Sequence, residues 1–352
     1  MMSRTIKAGE TLLITLKEIA AEAGVSVMTV SNVIHNNLAR VSPETAEKVR
    51  GIIEKHHYVP NMAARSLISK ASRIVAVLLP LWNETADSML LDPYTGQMAG
   101  LLETLLREKE YYVMMCSFRT VDQVLAIQRT WQIDGSILVV PHSDNITHEL
   151  VERSVSPLVV IDRRFDDLKM LSVCLDDRKG CYLSTRHLLE MGHRSIGFAS
   201  PLIEGSEVVR QRFQGYRKAL AEFGIEVNPD WVFNDYYHQD GGERVGQMIL
   251  TMDHRPTAVV TTEDLLACGI IKACQAGGMR VPEEISVVGF DNSSPSRLIT
   301  PGLTTVAQDV RQKAEHVVDM LLRAIGDSKY REDHVLLDVE LVQRESVTNR
   351  NN

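Results

Sequence analysis

Along residues 15–55, apolar positions recur every three to four residues in three short runs, each opened by a polar residue able to cap a helix. Thr15 opens the first, with Glu18 completing a capping box; Ile19, Ala20 and Ala23 make its inner face, and Gly24 ends it. Ser26 opens the second, whose inner face is Val30, Val33 and Ile34. Ser42 opens the third, with Pro43 at its first position, Glu44 in its first turn, and Ala46, Val49, Ile52 and Ile53 facing inward. Pro60 stops the pattern, and Asn61 can cap a further segment, 62–69, too short to be stable alone in water. From Ser72 the pattern changes. Short continuous apolar runs predict strands at 74–79, 112–116, 136–140, 158–161 and 172–175, then at 195–200, 258–261 and 285–289. Amphipathic stretches predict helices near 95–109, 122–131, 146–153, 178–191, 207–223, 241–252 and 264–276. Continuous apolar strands alternating with helices imply parallel sheets covered on both faces. Two such series imply two doubly wound lobes, preceded by a small all-α domain.

Two short helices joined by a Gly-containing turn predict a helix-turn-helix, whose second helix enters the major groove N-terminus first. Val27, Met28 and Asn32 are placed to meet base edges, and Thr15, Ser26, Thr29 and Ser31 complete the candidate contacts of the head. In the short segment, Asn61 is the cap and Ala64 permits close backbone approach. Arg65 suits a phosphate or the minor groove, and Leu67 is an apolar wedge for a base step.

The run TLKEIA, AGVSVMTVSNVI, VSPET and YVPNMAARSL resembles the lactose/galactose repressor family of bacterial transcription regulators. Further motifs recur in the family's order: DGSILVV (134–140), VVIDRR (159–164), LLEMGHRSIGF (188–198), RFQGY (212–216), VPEEISVVGFD (281–291), LTTVAQD (303–309) and QRES (343–346). The resemblance covers nearly the whole chain after about residue 14. It implies a head at 15–60, a hinge helix and linker at 61–71, and an effector-binding and dimerisation domain at 72–352, behind a flexible arm at 1–14. It also implies a type I periplasmic-binding-protein-like fold for the body. The N-lobe would span about 72–173 and 305–333, and the C-lobe 176–300 and 338–352, with crossings near 171–177, 299–306 and 333–340.

Ligands of doubly wound sheets lie beyond the carboxyl ends of the strands. Asp162 follows LVVI, Glu263 and Asp264 follow VVTT, and Asp291 ends VVGFD, so polar groups for a hydroxylated ligand are expected to converge there. For each Asp the plain alternative is a helix cap. The resemblance implies ligand contacts at Asp162, Arg210, Glu263 and Asp291, and suggests Asp92, Tyr94 and a stacking Tyr237 beside them. Asn32 stands where the family commonly has Arg, which implies an adenine-reading contact, and Glu263 stands where Asn is usual. Carboxylates accept hydrogen bonds and suit a neutral sugar or polyol over an anion. A nucleoside, an amine-bearing ligand or a partner protein is the alternative effector.

The charge distribution agrees with a DNA reader attached to a ligand sensor. Residues 1–70 hold nine Lys+Arg and six Asp+Glu (+3), against 29 and 40 (−11) in the remainder. There is no GxSxG, Walker A, GxGxxG or HExxH, so no enzyme, cofactor or metal site is expected, and His187 and His193 read as structural. Cys116 and Cys174 read as buried small hydrophobes. No apolar stretch reaches the ~18 residues of a membrane span, and TLLITL is not a signal peptide. The expected protein is a cytoplasmic homodimer binding a palindromic operator on double-stranded DNA; an exported solute receptor is disfavoured.

Overall fold

The computed structural model describes residues 14–34, 36–58, 71–81, 90, 92–139, 144–234 and 238–351. The chain divides into a head, residues 1–70, and a body, residues 71–352.

The head holds α1 (Leu16–Ala23), α2 (Val27–Ile34) and α3 (Pro43–Lys55). Each begins where its capping residue predicts. Thr15 Oγ1 accepts from the Glu18 amide at 3.3 Å while the Glu18 carboxylate accepts from the Thr15 amide at 2.7 Å. Ser26 Oγ accepts from the Thr29 amide at 3.1 Å, and Ser42 Oγ from the Thr45 amide at 3.2 Å. Gly24 ends α1 at φ 71°, a conformation glycine adopts without strain. Ile19, Val30 and Val49, one from each helix, are fully buried together. Three short helices are marginal alone, so this shared core holds them.

The body opens with β1 (Ile74–Pro80), α4 (Pro93–Glu108), β2 (Tyr112–Phe118), α5 (Val121–Thr130), β3 (Gly135–Leu138), α6 (Asp144–Arg153), β4 (Leu158–Ile161) and β5 (Leu171–Leu175). The chain then runs through α7 (Asp177–Glu190), β6 (Ile196–Ser200), α8 (Glu207–Glu222), β7 (Val232–Asn234), α9 (His238–Thr251), β8 (Ala258–Thr261), α10 (Asp264–Ala276), β9 (Ser286–Asp291), α11 (Ser294–Leu298) and β10 (Thr304–Ala307). It closes with α12 (Val310–Gly326), β11 (Asp333–Leu337) and β12 (Glu340–Val342).

These strands form two six-stranded sheets, ordered β11-β5-β4-β3-β1-β2 and β12-β10-β9-β8-β6-β7. Every pairing is parallel except β12 against β10. The central strands β3, β4 and β8 are buried at every position, as their unbroken apolar runs require.

Sheet membership moves one of the expected crossings and narrows another. β10 lies in the second sheet, so the chain passes between lobes at Gln308 and Asp309 rather than at 299–306. β11 lies in the first sheet, so the last crossing is at Asp338 and Val339, the late end of the expected 333–340. The pattern reading also passed over α12, whose stripe Val310, Ala314, Val317, Val318 and Leu321 is buried against the first lobe. One charged residue, Lys313, stands inside that stripe.

The middle of α8 and the first turn of α7 are held unusually close. A Cβ on Gly215 of α8 would overlap the carbonyl oxygen of Arg178 on α7, so only glycine allows this approach. His193 packs the second lobe as expected, with Nδ1 at 3.0 Å from Thr257 Oγ1 and Nε2 at 3.2 Å from the Thr348 carbonyl. Cys116 is buried, whereas Cys174 on β5 is only partly so.

Candidate DNA-binding and effector sites

In the head, the first turn of α2 presents Val27 and Met28 to solvent, 41% and 70% exposed. Apolar side chains that exposed contribute nothing to the head's core, and α2 is anchored from its other face by Val30 and Val33. Ser31 and Asn32 are half-buried on the same helix. Ser26 and Thr29 share a hydroxyl hydrogen bond of 2.9 Å, and Ser26 also caps α2. Thr15 is exposed, with its hydroxyl donating to Glu18 at 2.9 Å. Asn61, Ala64, Arg65 and Leu67 lie outside the described residues, as does Tyr237.

In the body, the carboxyl ends of the two sheets bring together most of the expected ligand-site residues. Asp162 follows β4 at φ 61°, and Asp291 ends β9 at φ 111°; L-residues rarely adopt either. Asp92 caps α4, accepting from the Thr95 amide and hydroxyl, both at 2.8 Å. Tyr94 donates its hydroxyl proton to Asp162 at 2.9 Å. Glu263 precedes α10 without capping it, and its carboxylate accepts from the His238 amide.

Two cations lie under these groups, and the sequence reading singled out neither. Lys313 is fully buried, with Nζ 2.9 Å from Asp162 Oδ1. Arg212 on α8 donates through Nε to Asp177 at 2.8 Å and through Nη1 to the Thr262 carbonyl, with its guanidinium 3.6 Å from the centre of the Phe290 ring. Arg210 is held in ion pairs. It binds Glu207 of its own helix at 2.7 Å and Asp144 of α6, in the other lobe, at 3.1 Å. Its sequence neighbour two places on, one of two arginines in RQRFQGY, is the one that turns inward.

The electrostatics divide the site. Burial alone would lower the Arg212 pKa, but Asp177 and Asp291 more than offset that and raise it. Burial lifts Asp177 to about 6 against the pull of Arg212. Burial also raises Glu263, opposed by His238 and reinforced by the Asp92 carboxylate. Asp291 is pushed well above the carboxylate range by burial, against Arg212 and with Asp264, Asp92 and Glu263 adding to it. Asp92, from the first lobe, thus acts on Glu263 and Asp291 of the second. Asp264, whose plain alternative was a cap, instead accepts from the Ser293 amide at 2.7 Å and the Thr305 hydroxyl at 2.5 Å. It braces β10 and the turn after β9 and is structural.

The hydroxyls of Ser200, at the end of β6, and Thr262, just after β8, are buried without a partner among the described residues. Among those residues no group of three or more His, Cys, Asp or Glu is arranged to hold a metal ion. No helix among them is long and apolar enough to cross a membrane.

A helix-turn-helix head carried on a two-lobed, doubly wound body defines a ligand-sensing DNA-binding regulator. The chain belongs to the lacI family of bacterial regulatory proteins, whose model matches residues 15–61, and a periplasmic binding protein-like domain matches 185–347. It is 31% identical over 338 residues to the ribose operon repressor of Haemophilus influenzae, covering 95% of this chain and 98% of that one. It is similar to the lac repressor dimer bound to operator and the anti-inducer ONPF, with a TM-score of 0.84 and 26% identity over 95% of this chain and 99% of that one. A complex of the regulator CelR with cellobiose is similar at a TM-score of 0.71 and 26% identity, with the same coverage. The protein is a DNA-binding transcriptional repressor with an effector-binding domain.

Proposed function

We propose that this repressor is a cytoplasmic homodimer that binds a palindromic operator, and that a neutral sugar or polyol held between the lobes controls its affinity for DNA. One observation carries the effector class. Both buried cations of the cleft are already matched by carboxylates of this chain, Lys313 by Asp162 and Arg212 by Asp177. Among the described residues no cation is then left over in that cluster to balance an anionic ligand, and desolvating such a ligand beside Asp92, Glu263 and Asp291 would be costly. Carboxylates instead accept from ligand hydroxyls. The unpartnered hydroxyls of Ser200 and Thr262 support the same reading, because buried polar groups are normally hydrogen-bonded.

On DNA, Val27 and Met28 make apolar contacts in the major groove, Asn32 reads adenine, and Thr15, Ser26, Thr29 and Ser31 lie along the backbone. Asn61, Ala64, Arg65 and Leu67 belong to a hinge segment that pairs with its copy in the minor groove. The ligand alters the angle between the lobes and thereby the spacing of the two heads, a coupling that must be reciprocal. A second reading, an amine-bearing effector, is favoured by Glu263, where a ligand cation would relieve the mutual repulsion with Asp92 and Asp291. Calorimetry against neutral sugars, amino sugars and sugar phosphates tests the assignment. Binding confined to a phosphorylated or carboxylated compound would contradict both readings.

A further inference from the structure

The ligand-facing walls of the two lobes are joined through one buried ammonium. Lys313 lies in the first turn of α12, directly after the crossing at Gln308 and Asp309. Its side chain is 0% exposed. Nζ meets Asp162 Oδ1 at 2.9 Å and Oδ2 at 3.1 Å, Tyr94 Oη at 3.2 Å, and Gln308 Oε1 at 2.8 Å. It also sits 5.1 Å from the centre of the Tyr94 ring.

An ammonium has three protons and accepts nothing. Three partners therefore use all its donors, and each partner's polarity follows. Gln308 can offer Lys313 only its carbonyl, so its amide NH2 points the other way, and it donates to Asp291 Oδ1 at 2.6 Å. Tyr94 offers Lys313 its lone pair, so its own proton goes to Asp162. Asp162 then has most of its acceptor capacity occupied within the chain and acts chiefly as a counter-ion. Asp291 keeps Oδ2 for a ligand.

A buried ion pair of this kind adds little stability over well-packed apolar side chains. Its neighbours on the α12 stripe, Val310, Ala314 and Val317, are apolar and would accommodate such a replacement. The pair's distinctive consequence is the fixed donor and acceptor pattern along Tyr94, Asp162, Gln308 and Asp291, which runs from the first lobe to the second.

We propose that Lys313 is a positioning residue for effector recognition: through Tyr94 and Gln308 it sets which atoms of the two lobes donate and which accept toward the ligand. This rests on the reading of the cleft as the effector site. Three measurements on the full chain test it. The first needs no ligand. The side-chain amide of Gln308, assigned by its loss in Gln308→Met, should give a shifted, slowly exchanging NMR pair that collapses to solvent-like exchange in Lys313→Met.

The second guards against misfolding, since Lys313→Met alone leaves Asp162 buried without its counter-ion. The double variant Asp162→Asn/Lys313→Met removes both charges and should melt within a few degrees of the parent. The third titrates parent and double variant by calorimetry with D-ribose, cellobiose and sorbitol, and with the deoxy analogue of the tightest binder. The double variant should bind that ligand at least tenfold more weakly and should lose most of the discrimination against the analogue. A purely structural role would weaken both compounds in proportion. Parental affinity and discrimination in the double variant, or an unchanged Gln308 amide in Lys313→Met, would overturn the proposal. If the parent binds none of these compounds, the sugar reading fails, and the Gln308 amide alone decides the role of Lys313.

Discussion

Arg210 and Asp144 join the two lobes of the body directly: the guanidinium on α8 donates to the carboxylate on α6 at 3.1 Å. Each is steadied from its own lobe, Arg210 by Glu207 and Asp144 by Arg163 at 2.8 Å. Burial opposes ionisation of Asp144, but the two arginines outweigh it and lower its pKa. At this separation of the lobes the pair ties one to the other.

Asp144→Asn and Arg210→Gln are therefore expected to weaken sugar binding by only two- to fivefold, with little change in melting temperature. Side chains 41% and 31% exposed contribute ~1 kcal/mol or less. The effect should shrink at high salt, and the double variant should lose no more than either single one. Calorimetry at low and high ionic strength measures this. A loss above fiftyfold in Arg210→Gln would return Arg210 to the ligand-contact role.

Glu263→Ala and Asp291→Ala are expected to lower effector affinity about ten- to a hundredfold, because each removes a buried acceptor worth ~1.5–3 kcal/mol. Operator affinity without effector should stay as in the parent. Anisotropy with labelled operator separates the two effects, and loss of DNA binding in either variant would show that it acts through folding.

Asn32→Arg should move the preference at one position of each half-site from adenine toward guanine. A randomised-site selection reads this directly, and an unchanged preference would place Asn32 on the DNA backbone instead. Met28→Ala should weaken specific binding and leave folding intact, because that side chain is 70% exposed.

His193 gives the second lobe a defined acid sensitivity. Burial lowers its pKa from 6.5 to about 4, partly offset by its bond to the Thr348 carbonyl. The folded state then holds fewer protons than the unfolded chain between those values, so stability falls as pH drops from about 6.5 to about 4. The size is on the order of 3 kcal/mol across that window. His193→Gln should flatten the decline in urea melts at matched pH while being less stable at pH 7.5.

Gly215→Ala should be among the most damaging single-methyl changes in the body, because the added carbon would meet the Arg178 carbonyl and force α7 and α8 apart. Arg212 would then be drawn from Asp177. A drop in melting temperature together with weakened sugar binding is expected, and retention of both would show that the helices can slide.

The head was legible in the sequence because its signals are local. Thr15, Ser26 and Ser42 cap the helices they open, and Gly24 takes the left-handed conformation its position requires. The central strands were legible for the same reason. Arg212 and Lys313 were not, because their roles depend on partners far along the chain. Arg212 meets Asp177 and Thr262, and Lys313 meets Tyr94 and Asp162. Lys313 lies on α12, which the pattern reading passed over. Periodicity along α8 cannot tell which arginine of RQRFQGY turns inward; that depends on where Gly215 allows α8 to approach α7. The strands β10, β11 and β12 escaped notice because polar residues (Thr304, Thr305, Asp333, His334 and Glu340) interrupt their apolar runs, and their sheet membership fixed the crossings.

The most direct test is the operator affinity of the full chain as a function of sugar, on a site recovered from a randomised pool. A palindrome with half-sites about 10 bp apart is predicted, with affinity falling steeply as salt rises. Sugar should shift that affinity at least tenfold in the parent, and Asp291→Ala should need about ten- to a hundredfold more sugar for the same shift. Equal affinity for a single half-site, or a sugar dose response in Asp291→Ala that matches the parent's, would contradict a dimeric repressor controlled from this cleft.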